Sequence, residues 1–397
     1  MIDIDKVFDA NDVLQDIVTK TPVVKAEGLS EDVEVFLKCE NLQKTGSFKL
    51  RGATYFLSQL SQDEKNRGVI AWSAGNHAQG VAHAAKNLGI KATIFIPECG
   101  SASKIAATRA MGANVKLVPG CFDDAKRVAK AYKDVHELVG VPPFNDDDII
   151  AGQATVALEM IEQIKEFDAV VVPVGGGGLI SGIAYVIKTL MPHCKVYGVE
   201  AEGAASMRAS LQNQDIQCLS DVETIADGIA VKEPGSRNFM MTQQYVDDII
   251  TVSDYEISES ILHIMEKNKM IVEGAGATAF AAIKFDKLPE HKRIACVLSG
   301  GNIDIELLNK VVSRALFQQR RLVKFKVEIP DRSGSLHEII EIIANEKGNI
   351  VNVEHDRFHS NMKINYCIAK IAYEAPTVDT ASIIEQKLQQ GGYQILV

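Results

Sequence analysis

The feature that most limits the fold is a repeated change of period along the chain. Short β-branched runs alternate with amphipathic helical stretches over most of the sequence, and several runs end in glycine. "GVIAWSAG" (68–75) reads as a buried strand, and "NHAQGVAHAAKNLG" as the helix after it, stopped by glycine. "KATIFIP", "NVKLVPG", "FDAVVVPVG", "CKVYGVEA" and "KRIACVLSGGN" read as further strands, with helices such as "SASKIAATRAMG" and "DAKRVAKAYKDVHELVG" among them. Strands apolar at nearly every position belong to a parallel sheet covered on both faces. The expected architecture is α/β in two lobes, with chemistry at the C-terminal ends of the strands.

The pattern changes after about Gln319. "LVKFKVEIP" is a strand, "HEIIEIIANEKG" a helix, "NIVNVEHDRF" and "KINYCIAKIAYEA" strands, "TVDTASIIEQKLQQGG" a helix and "YQILV" a strand. That order, βαββαβ, is the ferredoxin-like arrangement. Val323, Phe325, Val327 and Ile329 alternate with polar residues, as a sheet with one wet face requires. The expected domains are therefore 1–318 and 322–397, with "QQRR" as a linker, in keeping with a length of 397 residues.

Composition narrows the class. A net charge of −10 without a long Lys/Arg run argues against nucleic acid as a partner. No apolar stretch reaches membrane-spanning length, and the acidic start "MIDIDKVFDAND" is unlike a signal peptide. The seven cysteines are scattered and form no C-x-x-C pair, which fits reduced thiols in the cytoplasm and no zinc site.

Three glycine-rich segments stand at strand ends. "VGGGGLISG" (174–182) places four glycines between a strand and a helix, so backbone N–H groups and a positive helix end form an anion cradle suited to phosphate. A tight turn alone needs one or two glycines. The segment has neither the G-K-[ST] of a Walker loop nor a dinucleotide turn. "SAGNHAQG" (73–80) either caps its helix through Ser73 or Asn76, or turns amide groups toward a carboxylate or cofactor oxygen. His77 taken alone reads as structural. In "SGGN" (299–302) Ser299 either caps a helix or serves a buried acceptor. Then there is "NLQKTGSFKLRGA" (41–53), where Lys49 follows a Gly-Ser turn and an aromatic rather than other charges. An amine whose pKa is lowered by burial can bond to a carbonyl, and the cofactor that needs both an amine and a phosphate cradle is pyridoxal phosphate.

"SFKLRGA", "SAGNHAQG", "VGGGGLISG", "ETIADGIAV", "VEGAGA" and "LSGGN" occur in an order and spacing that resembles the serine/threonine dehydratases. These belong to the fold type II pyridoxal phosphate enzymes, the tryptophan synthase β family, and the likeness covers roughly residues 5–315. The tail, with "IPDRSGSL" as its first loop, resembles an ACT domain, a small-ligand regulatory module. The whole chain is thus similar to threonine dehydratases (ammonia-lyases) with one C-terminal ACT domain. The resemblance implies deamination of L-threonine to 2-oxobutanoate and ammonia, with L-serine to pyruvate as a further reaction. A homo-oligomer (dimer or tetramer) and an amino-acid effector such as isoleucine or valine are implied with it, in biosynthesis of isoleucine or in threonine catabolism.

Residue by residue, the resemblance makes Lys49 the Schiff-base lysine and the base for the substrate α-proton, with Phe48 beside the cofactor ring. Asn76 would meet the ring hydroxyl, and Gly175, Gly176, Gly177, Gly178 and Leu179 would hold the phosphate. Ser299 would face the pyridine nitrogen, and Ser73, Gly75, Asn76 and His77 would line the substrate carboxylate through their turn. A neutral hydroxyl at the nitrogen draws less charge into the ring than a carboxylate would, which favours elimination over transamination. Serine racemases of this family carry a second serine in the turn. Here that position is Ala74, with no proton to return. Their metal site looks incomplete as well, since Glu200 is present but Ser206 stands where a carboxylate is expected, so no required metal is implied. Strand alternation turns Ser73 toward the site and Trp72 toward the core. The rival readings are a serine-preferring dehydratase or racemase, and an amino-acid-sensing ACT protein on a degenerate body.

Overall fold

The computed structural model describes residues 2–30, 32–357 and 363–396. It divides into two compact units, Met1–Ile305 and Glu306–Val397.

The first unit holds two sheets. Strands β1 (Val23–Lys25), β2 (Glu34–Cys39), β7 (Ala169–Pro173), β8 (Lys195–Ala201), β9 (Asp248–Val252) and β10 (Arg293–Leu298) form one, in the order β1-β2-β10-β7-β8-β9. Strands β3 (Val69–Trp72), β4 (Ala92–Pro97), β5 (Asn114–Val118) and β6 (Val139–Gly140) form the other, in the order β5-β4-β3-β6. Pairing is parallel throughout the smaller sheet and through most of the larger. One edge departs from the expected parallel arrangement: β1 runs antiparallel to β2. A short connection can join only antiparallel neighbours, and residues 26–33 are too few for a crossover. The β7 run Ala169–Pro173 is buried at every position, as a strand between two helical layers must be.

Both sheets reverse their direction of growth beside the same region. In the larger, successive strands β7 and β8 move outward on one side while β10 and β2 lie on the other. In the smaller, β4 lies on one side of β3 and β6 on the other. Ligands of open α/β sheets bind outside the C-terminal strand ends at such reversals. Strand β6 is two residues long, and sequence reading runs a helix through it. That helix, Phe122–Val135, stops sooner because Glu137 takes a left-handed backbone (φ 49°).

The helix Lys49–Ser58 is held from two directions. Against helix Asp147–Ile164 it makes backbone-to-backbone contact, since a Cβ on Gly152 would stand 2.7 Å from the Cα of Gly52. Behind it, fully buried Arg51 forks onto two carboxylates. Its Nε and one terminal nitrogen donate to Glu40 at 2.8 Å each, and its terminal nitrogens donate to Glu159 at 2.7 and 2.9 Å. Lys38 completes the charge balance by donating to Glu159 at 2.5 Å and to the Thr21 carbonyl at 2.7 Å. The "RGA" after Lys49 is thus an anchor and a close-packing point.

In the second unit β11 (Leu322–Pro330), β12 (Asn349–Asp356), β13 (Tyr366–Glu374) and β14 (Ile395–Leu396) form an antiparallel sheet in the order β12-β13-β11-β14. Helices Ser335–Asn345 and Val378–Gln390 come after β11 and β13, giving the βαββαβ order. Phe325, Val327 and Ile329 are buried while Lys324, Lys326 and Glu328 are exposed, and the buried set meets Ile339, Ile343, Ile384 and Leu388. Helix Ile305–Gln318 runs up to "QQRR", which turns: the N–H groups of Gln319, Arg320 and Arg321 donate back to Ala315, Phe317 and Leu316. No helix among the described residues is long and apolar enough to cross a membrane.

Arg51→Met would leave two buried carboxylates facing Lys38 alone, at an expected cost of about 3–5 kcal/mol. Its denaturant midpoint should fall well below that of the parent; an unchanged midpoint would refute the anchoring role.

Candidate active site

A cavity of about 700 Å³ lies at the C-terminal ends of β3, β7 and β10, and every candidate residue of the sequence lines it. The lysine turn is built against the loop after β10. The N–H of Phe48 donates to the Ser299 carbonyl at 3.1 Å, Gly301 N–H to Gly46 at 2.9 Å, and the Asn302 amide to the Thr45 carbonyl at 2.7 Å. Gly46 has φ +71°, and a Cβ there would stand 2.4 Å from the Asn302 side-chain oxygen. Only glycine fits the turn.

Lys49 is the first residue of its helix and half-buried, opening onto the cavity. Its Nζ donates to the Pro143 carbonyl at 2.8 Å and stands 5.2 Å from the centre of the Phe48 ring. Burial pushes the amine down to about 8, against a smaller upward pull from the Glu273 carboxylate. The positive end of its own helix acts in the same direction as burial. With that pKa roughly a tenth of the amine is neutral at pH 7, against less than a thousandth for a surface lysine.

Opposite the lysine, the strand β7 runs into Gly175–Gly178 and the helix Gly178–Leu190. The glycines are required by close approach: a Cβ on Gly176 would enter the Phe144 ring at 2.3 Å, and one on Gly175 would stand 2.9 Å from the Ile229 Cα. Gly177 has φ +96°. No side chain caps this helix, although Gly175 to Leu179 are all buried. A buried helix start with uncapped N–H donors calls for an anion. The helix Asn76–Asn87 also starts without a side-chain cap, at Gly75, while Ser73 Oγ accepts the Gly75 N–H at 3.2 Å. The cavity therefore has two anion-seeking helix ends and an amine on its wall, which fits a phosphorylated aldehyde and a carboxylate partner.

The side chains sort further. Asn76 donates to Glu273 at 2.5 Å and accepts from Asn302 at 2.7 Å, so it is pinned at both ends on the cavity wall. His77 faces away, its Nε2 bonded to the Val141 carbonyl at 3.0 Å; burial and then the Lys49 charge push it down to about 3. It is a neutral imidazole that offers the cavity its backbone. Ser299 is buried and donates to the Ala275 carbonyl at 3.3 Å, and Leu179 is buried behind the cradle. Trp72 departs from the expectation of a core position. It packs partly against Ile70 and Phe95 and also lines the cavity, because β3 ends there and alternation ends with it. Glu200 accepts the N–H groups of Met207 and Arg208 at 2.8 Å each and so caps the helix Ser206–Asn213.

Sequence reading quoted "VEGAGA" without singling out Glu273. Its carboxyl is buried within the cavity wall and pushed up to about 7, first by burial and then by Asp227. Also missed was a bridge at the mouth. Lys104 meets Asp227 at 2.6 Å, and Ser101 donates to Asp304 at 2.6 Å. These residues lie far apart in the chain and share no motif, so only the fold brings them together.

Residues 14–300 match the family described as pyridoxal-phosphate dependent enzyme. An L-threonine ammonia-lyase of Thermotoga maritima is 42% identical over the full length of both chains. Among solved structures, the processed threonine deaminase isoform 2 of Solanum lycopersicum superposes with a TM-score of 0.74 at 39% identity, over 79% of this chain and 94% of that one. Maize serine racemase superposes with the same TM-score at 33% identity, over 80% of this chain and 99% of that one. With the amine, the glycine cradle and the neutral serine in one cavity, and these likenesses over most of its length, the chain belongs to the family of pyridoxal-phosphate dependent enzymes.

Proposed function

We propose that this enzyme deaminates L-threonine to 2-oxobutanoate and ammonia. The observation that carries the reading is the half-buried Lys49 amine, lowered by burial to about 8, in one cavity with two uncapped helix starts. The cofactor supplies an electron sink for the charge left when the substrate loses its α-proton. Lys49 would hold the cofactor through its amine, and the same amine would take that proton. The N–H groups from Gly175 to Leu179 would hold the phosphate, and those of the 73–77 turn the substrate carboxylate. Phe48 would pack beside the ring and Asn76 would meet the ring hydroxyl, with Glu273 accepting from the Asn76 amide at 2.5 Å. Ser299 would offer the ring nitrogen a hydroxyl, which does not stabilise a proton there as a carboxylate does, and less charge drawn into the ring would favour loss of the substrate's β-hydroxyl.

Ala74 favours elimination over racemisation, because a methyl group lines the cavity where a proton donor for the opposite face would stand. The relative of full-length likeness carries the name L-threonine ammonia-lyase, which supports threonine over serine as the preferred substrate. Purified enzyme should release 2-oxobutanoate from L-threonine faster than pyruvate from L-serine and should not racemise serine. Lys49→Ala should lose turnover by at least about three orders of magnitude and its yellow colour with it. Wild-type turnover in that variant would overturn the assignment.

We infer further that the second unit is an ACT module of ferredoxin-like topology, and that the domains are 1–318 and 322–397. Supporting this are the βαββαβ order and an exposed edge strand, β12, suited to pairing with a second copy in a homo-oligomer. The 331–336 loop and the start of β12 are where an amino-acid effector would bind at such a seam. L-Isoleucine should shift the threonine saturation curve. No response to any branched-chain amino acid would leave a dimerisation module without a ligand.

A further inference from the structure

Four of the seven cysteines are buried, and Cys99, Cys121 and Cys218 are exposed. Two of the exposed three are neighbours. Cys99 follows β4 and Cys121 follows β5, adjacent parallel strands that pair as far as Pro97 and Val118. The Glu98 N–H then donates to the Val118 carbonyl at 2.9 Å, which carries the pairing one step beyond the strands. The Cys99 thiol donates to the carbonyl of Gly120, the residue before Cys121, at 3.7 Å. A carbonyl oxygen lies about 2.8 Å from the next Cα, so the Cys99 sulfur lies within roughly 6.5 Å of the Cys121 Cα. In a disulfide one sulfur stands within about 4.5 Å of its partner's Cα, so from that outer limit the loop closes by up to about 2 Å and the Cys121 thiol turns away from Asp124, to which it donates at 3.4 Å. Gly120, which precedes Cys121 and accepts from the Cys99 thiol, has φ +100° and is the glycine about which this loop can adjust.

The pair stands on the rim of the active-site cavity. Cys99 itself lines the cavity, and so does Phe122, next to Cys121. The segment after Cys99 carries the bonds that cross the mouth, Ser101 to Asp304 and Lys104 to Asp227, both 2.6 Å. A bond between the sulfurs would tie this segment to the β5 loop and fix one side of the mouth.

We infer that Cys99 and Cys121 form a reversible dithiol modification site that takes a low-molecular-weight disulfide as its oxidant and gates the cavity. The thiolate of one cysteine attacks a sulfur of the small disulfide. A mixed disulfide forms, and one small thiolate leaves and takes up a proton. The second cysteine gives up its proton and attacks the protein sulfur, forming the Cys99–Cys121 bond and expelling the second small thiol. The pair loses two electrons and two protons, and one small disulfide becomes two thiols.

The test treats holoenzyme with oxidised glutathione, blocks free thiols, and maps peptides by mass spectrometry. A Cys99–Cys121 linkage is expected while Cys218 stays free or carries only glutathione. Turnover of L-threonine, or of whichever hydroxy-amino acid the untreated enzyme deaminates, should fall roughly tenfold and return with dithiothreitol. Cys121→Ser should keep its untreated turnover, form no linkage and collect glutathione on Cys99. The peptide map is independent of the threonine reading, so failure of one leaves the other intact. Two free thiols after treatment, or a glutathione adduct on Cys99 that persists beside a free Cys121, would overturn the pair. A linked enzyme with unchanged turnover would overturn the gate.

Discussion

The placement of the Lys49 amine depends on one buried guanidinium. Arg51 lies two residues after Lys49 on the same helix, and its fork is clamped by Glu40 and Glu159. Burying charges is unfavourable unless every one is met, and here two cations face two carboxylates with Thr21 and Gln163 filling the remaining contacts. The helix therefore cannot rotate or slide without breaking charge-assisted bonds. The glycine contact between Gly52 and Gly152 sets its height. Lys49, at the start of that helix, inherits a fixed position.

What the fixed position delivers is an electrostatic arrangement. Two helices begin at the cavity without side-chain caps, each presenting N–H donors and a positive end. Burial pushes the Lys49 amine down to about 8, and in the proposed function the same two helix ends would attract the anionic groups of cofactor and substrate. Glu273, pushed up to about 7 by burial, opposes the lysine's shift only in part and holds Asn76 in place.

Much of this was legible in the sequence because the relevant constraints are local. Each glycine of the 175–178 run answers to a neighbour that a Cβ would strike or to a left-handed backbone, and such positions leave a mark in the chain. The alternation in β11 marks a wet face as plainly as the unbroken apolar run of β7 marks a buried strand. Other features leave no such mark. Strand β1 is three residues long and β6 two, too short for any period to register. Glu273 looks like any acidic residue before a helix until the fold sets it against Asn76. Lys104, Asp227 and Asp304 meet only because two sheets face each other, and Trp72 turns to the cavity because its strand ends.

The central claim is that the turn and its anchored helix exist to present the Lys49 amine to the cofactor. Reduction of the holoenzyme with borohydride, followed by digestion and mapping of the pyridoxyl-modified peptide, tests it most directly. The account predicts one modified residue, Lys49, and loss of the yellow colour in step with its labelling. Modification at Lys104 or another lysine, with Lys49 untouched, would contradict it.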